Sequence, residues 1–308
     1  MKSQYLLAVL AAALVSGCAS MDKEGGIAGV VRGGLEVELV QEGFKFTEGP
    51  VGTPDGGLYF TDLRASRIHR VDPNGKVSLY REPTGETNGL ALTRSGQLVG
   101  IEAVGKRVTR INPDGTTTEL SRGDGSKPLA VPNDLIVDAK GGIYFTDPHA
   151  RPVVPGRKHQ VYYLPAGQSK AIVVDETMTR PNGLTLTLDG KTLLVADTVD
   201  HVIPAFDVQP DGSLRNKRPF ARLRDIKEGE DSGGDGTAID REGRIYVTSN
   251  TGVQVFDRSG DYLGTIKVPR KPTNVAFAGP GKRTLYITAR EGLYRIHTLA
   301  AGPDRLGK

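Results

Sequence analysis

One pattern recurs six times along the chain and limits what it can fold into more than any other feature. An Asn or a carboxylate sits in a turn and a short apolar strand follows, as in Pro132-Asn133-Asp134 ahead of LIVDAKGGIYFTDP. The turns begin at Glu48, Asn88, Asn133, Asn182, Asp235 and Asn274, spaced by 40, 45, 49, 53 and 39 residues. Ten or eleven residues after each comes the middle of a second strand, at Leu58, Leu98, Ile143, Leu193, Ile245 and Leu285. Each repeat holds short β-branched or alternating runs punctuated by Gly, Asp, Asn or Pro, the pattern of four antiparallel strands. A period of this length with four strands is that of a propeller blade. The expected fold is therefore all-β, a six-bladed β-propeller, and no segment of useful length has helical periodicity.

The sixth repeat tests the count. After TNVAFAG, TLYITA and GLYRIHTL only a polar tail remains, so a fourth strand is missing there. Leu35 to Gln41, LEVELVQ, is a strand with no partner ahead of the first turn. As the outer strand of the sixth blade it closes the ring and removes two exposed sheet edges at once.

The N-terminus reads as an export signal, with Lys2 before the ten-residue apolar core Leu6 to Val15. That core is too short to span a bilayer. Val15-Ser16-Gly17-Cys18 resembles the lipobox of bacterial lipoproteins, which implies diacylation of Cys18 as the new N-terminus; an ordinary signal peptide with an incidental Cys is the blander reading. Ala19 and Ser20 follow in place of the Asp that favours inner-membrane retention, so the expected location is periplasmic, lipid-anchored to the outer membrane. Cys18 is the only cysteine, which rules out an internal disulfide. Residues 20–34 carry five Gly and no apolar period and read as a flexible tether. The expected organisation is 1–18 signal and lipobox, 19–34 tether, 35–300 propeller and 301–308 polar tail.

A net charge of +4 arises from 40 basic and 36 acidic residues scattered along the chain, with no basic cluster interleaved with aromatics, which excludes a nucleic-acid binder. A monomer whose only membrane contact is its lipid is expected. The first strand of each blade lines the channel of a propeller, so the six turn residues converge in one ring at one end. The ends of the second strands, Asp62, Glu102, Asp147 and Asp197, are expected around that ring. The long insertions 122–131, 148–160 and 222–234 enter the same face, and long loops gathered on one face mark a binding side.

A ring of two carboxylates and four amides, without Cys or His, suits a hard cation such as Ca²⁺ and suits Zn²⁺ poorly. Asn and Asp are also favoured in turns for backbone reasons alone. Asn88-Gly89 and Asn182-Gly183 fit that explanation, whereas Glu48 does not. Turn chemistry by itself leaves the metal question open.

FTEGPVGTPDGGLYFTD, VPNDLIVDAKGGIYFTDP, RPNGLTLTLDGKTLLVAD and the Asp-Gly of GGDGTAIDREGRIYVTS resemble the gluconolactonase, senescence marker protein and luciferin-regenerating enzyme family, from about Phe46 to Arg295. The resemblance implies a six-bladed propeller that hydrolyses sugar-type lactones with a divalent metal, Ca²⁺ first, with Zn²⁺, Mn²⁺ and Mg²⁺ as alternatives. It implies Glu48, Asn182 and Asp235 as metal ligands, with Asn133 a ligand or substrate contact. The more distant diisopropyl fluorophosphatase has a similar Glu, Asn, Asn, Asp set. The family's matching Asp implies Asp235 as general base, with Asp134 and His149 in reserve. Asn88, Asn133, Glu102 and His149 are the candidate substrate contacts, and Arg151, Arg157 and Lys158 a further source of positive charge. Animal members carry an Arg two residues before the Asn-Asp motif; here it is Val131, which leaves the identity of the sugar open. The same ring would serve a metal-dependent phosphotriesterase or lyase, and the same fold a non-catalytic binding module.

Overall fold

A computed structural model describes residues 25–149 and 158–305; Cys18, the signal segment, Arg151 and Arg157 lie outside the described residues. Among the described residues there are six four-stranded antiparallel sheets and, beside them, only two single-turn 3₁₀ segments. The inner strands are Thr47–Gly52, Thr87–Leu92, Leu135–Val137, Pro181–Leu186, Thr237–Ile239 and Asn274–Ala278. Each is followed by its second, third and, except in the last blade, outer strand in chain order.

The closing strand is Glu38–Glu42, antiparallel to Gly292–His297, with Glu38 opposite Arg295 and Glu42 opposite Gly292. The ring thus shuts as its edges require, and the strand begins three residues later than the apolar run suggested.

Hydrophobic burial follows the same sixfold logic. Each of six clusters mixes side chains of two neighbouring blades. Val99, Ile101 and Val108 pack on Leu135, Ile143 and Phe145 between blades two and three. Phe44, Leu58 and Phe60 pack on Ala276, Tyr286 and Leu293 between blades six and one. The core is therefore a cycle of interfaces around the channel, and every blade depends on both neighbours.

The two ends of the chain depart from expectation. Residues 25–34 do not behave as a tether: Ile27, Val30 and Val31 are buried in the cluster between blades five and six, with Val253, Val255 and Ile266. Ile27 and Val31 form a bridge, and Leu299 N–H donates to the Val30 carbonyl. The short Ile-x-x-Val-Val run among glycines is too brief to show a period, yet burying three apolar side chains stabilises it by several kcal/mol, about 2 each. The folded domain therefore includes residue 27. At the other end the start of the polar tail is packed down, with Ala301 buried and Arg305 donating to the Thr187 carbonyl (2.6 Å) and to that of Leu186, across the face opposite the ring.

Candidate metal and substrate site

The six turn residues all stand where an inner strand begins. In blades one, two and four that start is bulged. Pairing steps from Glu48–Thr61 to Val51–Tyr59, from Thr87–Glu102 to Leu90–Gly100 and from Pro181–Asp197 to Leu184–Val195, two residues against one each time. A bulge re-aims side chains and breaks the ladder, and bulges gather next to functional sites. It falls at or directly after Glu48, Asn88 and Asn182, which are 4, 6 and 7% exposed. Asn133 and Asp235 precede their strands and are only partly buried, at the accessible side of the ring.

The repeated Phe-Thr-Asp of the second strands builds this arrangement. Thr61 Oγ1 donates to the Asn88 carbonyl of the next blade (3.0 Å), and Thr146 Oγ1 to the Asn182 carbonyl (2.8 Å). The neighbouring carboxylates point elsewhere. Asp62 accepts from the backbone N–H groups of Lys45 and Phe46, Asp147 from those of Ala130 and Val131, and Asp197 from that of Arg180. Expected around the ring as chemical groups, these three aspartates are clamps that hold the approach to each inner strand. Glu102, in the equivalent place, pairs with Arg107 at 2.7 Å. These roles need the pairing of segments some 16 residues apart, which the motif alone does not reveal.

Inner strands approach closely enough that side chains at some positions are forbidden. A Cβ on Gly236 would lie 2.0 Å from Asn274 Oδ1, and one on Gly183 would lie 2.2 Å from the Asp235 carbonyl oxygen. Gly183 N–H instead donates to that carbonyl. The Asp-Gly and Asn-Gly pairs are therefore joint devices, a polar side chain for the ring and a bare backbone for the neighbour.

Two ring amides carry unmet bonding capacity. Oδ1 of Asn88 and Oδ1 of Asn182 are buried without a hydrogen-bond partner, as is Thr237 Oγ1, two residues beyond Asp235. Thr198 Oγ1 donates to the Gly234 carbonyl and so accepts from Asn182 Nδ2 (3.1 Å). That contact fixes the amide with its oxygen turned away from Thr198. Leaving such an acceptor buried and unpaired costs about 1–3 kcal/mol. Asn274 and Asp134 are used differently: Asn274 Nδ2 donates to Glu48 Oε2 (3.1 Å) and to Asp134 Oδ2 (3.3 Å), bracing blades one, three and six together. Asp134 also accepts from Leu135 N–H, and Asp134 and Asn274 are each 1% exposed.

Among the described residues no three His, Cys, Asp or Glu side chains converge to hold a metal. A cation at the ring would be held by a mixed carboxylate and amide set, the oxygen donors that a hard ion prefers. The orphaned amide oxygens in the same ring as Glu48 fit that chemistry.

His149, expected to face substrate, is buried. Its Nε2–H donates to the Lys158 carbonyl (2.8 Å), its backbone N–H donates to His159 Nδ1, and its carbonyl accepts from Arg180. Lys158 pairs with Glu176. Burial also pulls the pKa of His159 below the ordinary value, with His149 and Arg180 adding to the effect. Sequence reasoning passed over Lys271, three residues before Asn274. Its ammonium is half-buried, and desolvation holds its pKa below the usual lysine range against the opposing pull of Asp235.

A sequence profile for the SMP-30/gluconolactonase/LRE-like region matches residues 46–291. The chain belongs to this family. It is 24% identical to the gluconolactonase of Zymomonas mobilis over 86% of this chain and 82% of that one. It is 28% identical to a regucalcin of Xenopus laevis, over 82% and 85% of the two chains. A solved gluconolactonase from Xanthomonas campestris shares 31% identity with a TM-score of 0.76, covering 85% of this chain and 89% of its own. Lactone hydrolysis is thus found within the SMP-30/gluconolactonase family to which the chain belongs.

Proposed function

We propose that the protein is a divalent-metal-dependent lactonase acting on a sugar-type or related small lactone, a monomer held at the periplasmic side of the outer membrane by a lipid on Cys18. The observation that carries the reading is the pair of buried amide oxygens, Asn88 and Asn182, left without partners in the same ring as Glu48. Glu48, Asn133, Asn182 and Asp235 would hold the cation, with Ca²⁺ favoured by the all-oxygen donor set. When bound it supplies electrophilic stabilisation of the lactone carbonyl oxygen as negative charge develops there.

The chain's own part is positioning and proton transfer. Asn88 and Asn133 orient the substrate hydroxyls. Asp235, at the accessible side of the ring, accepts the proton of the water whose oxygen adds to the carbonyl carbon, and returns a proton to the ring oxygen as the C–O bond breaks. Of the two reserves, Asp134 is engaged by Asn274 and Leu135 below the ring, and His149 has its Nε2–H committed to Lys158, which favours Asp235 as the base.

Metal-stripped protein titrated with Ca²⁺ in a proton-release assay on a lactone panel tests this. Activity should return with the cation, and Asp235→Asn, which keeps an oxygen ligand but takes no proton, should lose about a hundredfold or more in kcat. An Asp235→Asn variant as fast as the parent at saturating metal removes Asp235 as base. Absence of any lactone turnover with metal bound removes the enzyme reading. Cys18→Ser should release the chain from bacterial membranes; retention with the signal cleaved would sink the anchor.

A further inference from the structure

Three cations gather at the ring face between blades six and one. Phe46 lies two residues before Glu48, and the guanidinium carbons of Arg64 and Arg290 stand over its ring at 5.1 and 5.2 Å from the centroid. Arg64 follows the Asp62 clamp that holds Phe46, and the Arg290 carbonyl accepts from Thr47 N–H (2.6 Å), so both are tied to the residues that directly precede Glu48. Lys271, on the approach to the inner strand of blade six, lies within electrostatic reach of Arg290; Asp231 and Asp235 are the acids within its range.

Among the described residues none of the three makes an ion pair. Arginines nearby are treated differently: Arg67 pairs with Glu82, Arg270 with Glu42 and Arg295 with Glu38. Arg270 and Lys271 are adjacent in the chain, yet only Arg270 is ion-paired, with Glu42. The half-buried Lys271 ammonium has given up part of its hydration, and the attraction of Asp235 and Asp231 offsets that loss without an ion pair. Guanidinium groups resting on an aromatic ring are held in orientation, their N–H forks free to grip a carboxylate, sulfonate or phosphate.

We propose that Arg64, Arg290 and Lys271 form an anion subsite, and that the substrate is a lactone bearing a second, acidic group that this subsite holds while the carbonyl faces Glu48 and Asp235. The inference rests on the lactonase reading and narrows it. Hydrolysis adds one water, opens the ring C–O bond and yields a hydroxy acid with two anionic groups, so the product is a dianion. An enzyme oxidising the anomeric carbon of an acidic sugar is the class of reaction that would supply such a substrate.

The test uses two lactones with the same ring, one ending in a hydroxymethyl and one in a carboxylate or phosphate. The acidic one should be preferred by about tenfold or more in kcat/KM at low salt, with the preference shrinking as ionic strength rises. Lys271→Met and Arg290→Asn, the latter chosen because Asn tolerates the left-handed conformation at that position (φ 54), should each lower kcat/KM for the acidic lactone about tenfold more than for the neutral one. Equal losses on both substrates, or a neutral lactone preferred by the parent, would overturn the subsite. Binding of the ring-opened dianion, read as a rise in melting temperature, separates the two claims. A rise that Lys271→Met abolishes supports the subsite even if no lactone turns over, and no rise in the parent refutes it even if neutral lactones do.

Discussion

At the end of the propeller away from the ring, Asp114, Asp189, Asp211 and Asp257 each sit in a hairpin turn and accept the backbone N–H two residues on, along with the hydroxyl of a nearby Ser or Thr. Their bonds close within a few residues and their carboxylates stay in water. At the ring end the same residue types are buried, and two of the amide oxygens have no partner. An Asp or Asn whose acceptor is used within its own turn is a device for bending the chain. One whose acceptor is buried and idle has bonding capacity that the fold leaves unused. Both lie in similar Gly-rich strings, so only the partners tell them apart.

The largest expected effect separates the ends by packing. Gly236→Ala places a Cβ 2.0 Å from Asn274 Oδ1 and 2.5 Å from its Cα, inside the brace between Glu48 and Asp134, and should cost about 3 kcal/mol or more. Gly96→Ala, in a far-end turn with nothing within 4 Å, meets only the left-handed φ of +79° and should cost about 1 kcal/mol. Urea denaturation of both variants reads the difference, and equal losses would mean that the ring is no tighter than a surface turn.

Next comes the idle acceptor itself. A ligand bound only by the folded state stabilises it by about 2.7 kcal/mol at a hundredfold excess over its dissociation constant. Asn182→Leu should leave metal-free stability within about 1 kcal/mol, since it removes an unpaired buried oxygen along with one hydrogen bond, and should abolish most of the Ca²⁺-induced rise in melting temperature. Asn112→Leu, which loses bonds to Thr116 and Thr118 at the far end, should leave the Ca²⁺ response intact. A full response in Asn182→Leu would break the comparison.

The smallest effect concerns acid. Hydroxyl hydrogen bonds from Thr116, Thr187, Ser213 and Ser259 hold Asp114, Asp189, Asp211 and Asp257 below the ordinary carboxylate range. A carboxylate depressed in the folded state contributes stability that is fully present above the unfolded pKa, about 3.9, and is lost as pH falls through the folded value. Changing all four to Asn should flatten the stability profile below about pH 4 and leave its shape near neutrality unaltered. A profile that keeps its acid slope would show that these turns carry no such linkage.

Fold and site were legible in the sequence to different depths. Blade count, strand number and the need for Leu35–Gln41 to close the ring follow from turn residues and alternation, which act within a few positions. The burial of Ile27, Val30 and Val31 was hidden because three apolar residues among glycines have no period, and their value comes from blades five and six. The carboxylates of Asp62, Asp147 and Asp197 could be placed at the right end, but their use as clamps depends on which backbone N–H groups they meet. His149 was legible as a residue beside the ring; its burial under Lys158 was not.

Local chemistry along the chain already sets six repeats, the face on which each turn falls, and the ring of oxygen-bearing side chains that faces the channel. Contacts between distant segments settle which members of that ring are spent on the fold and which are left unpaired. Asn274 meets Glu48 and Asp134 across 226 and 140 residues of chain, whereas the oxygens of Asn88 and Asn182 meet nothing. The physical reason is that a turn is stabilised by atoms a few bonds apart, while the satisfaction of a buried polar atom depends on whatever the closed ring brings beside it.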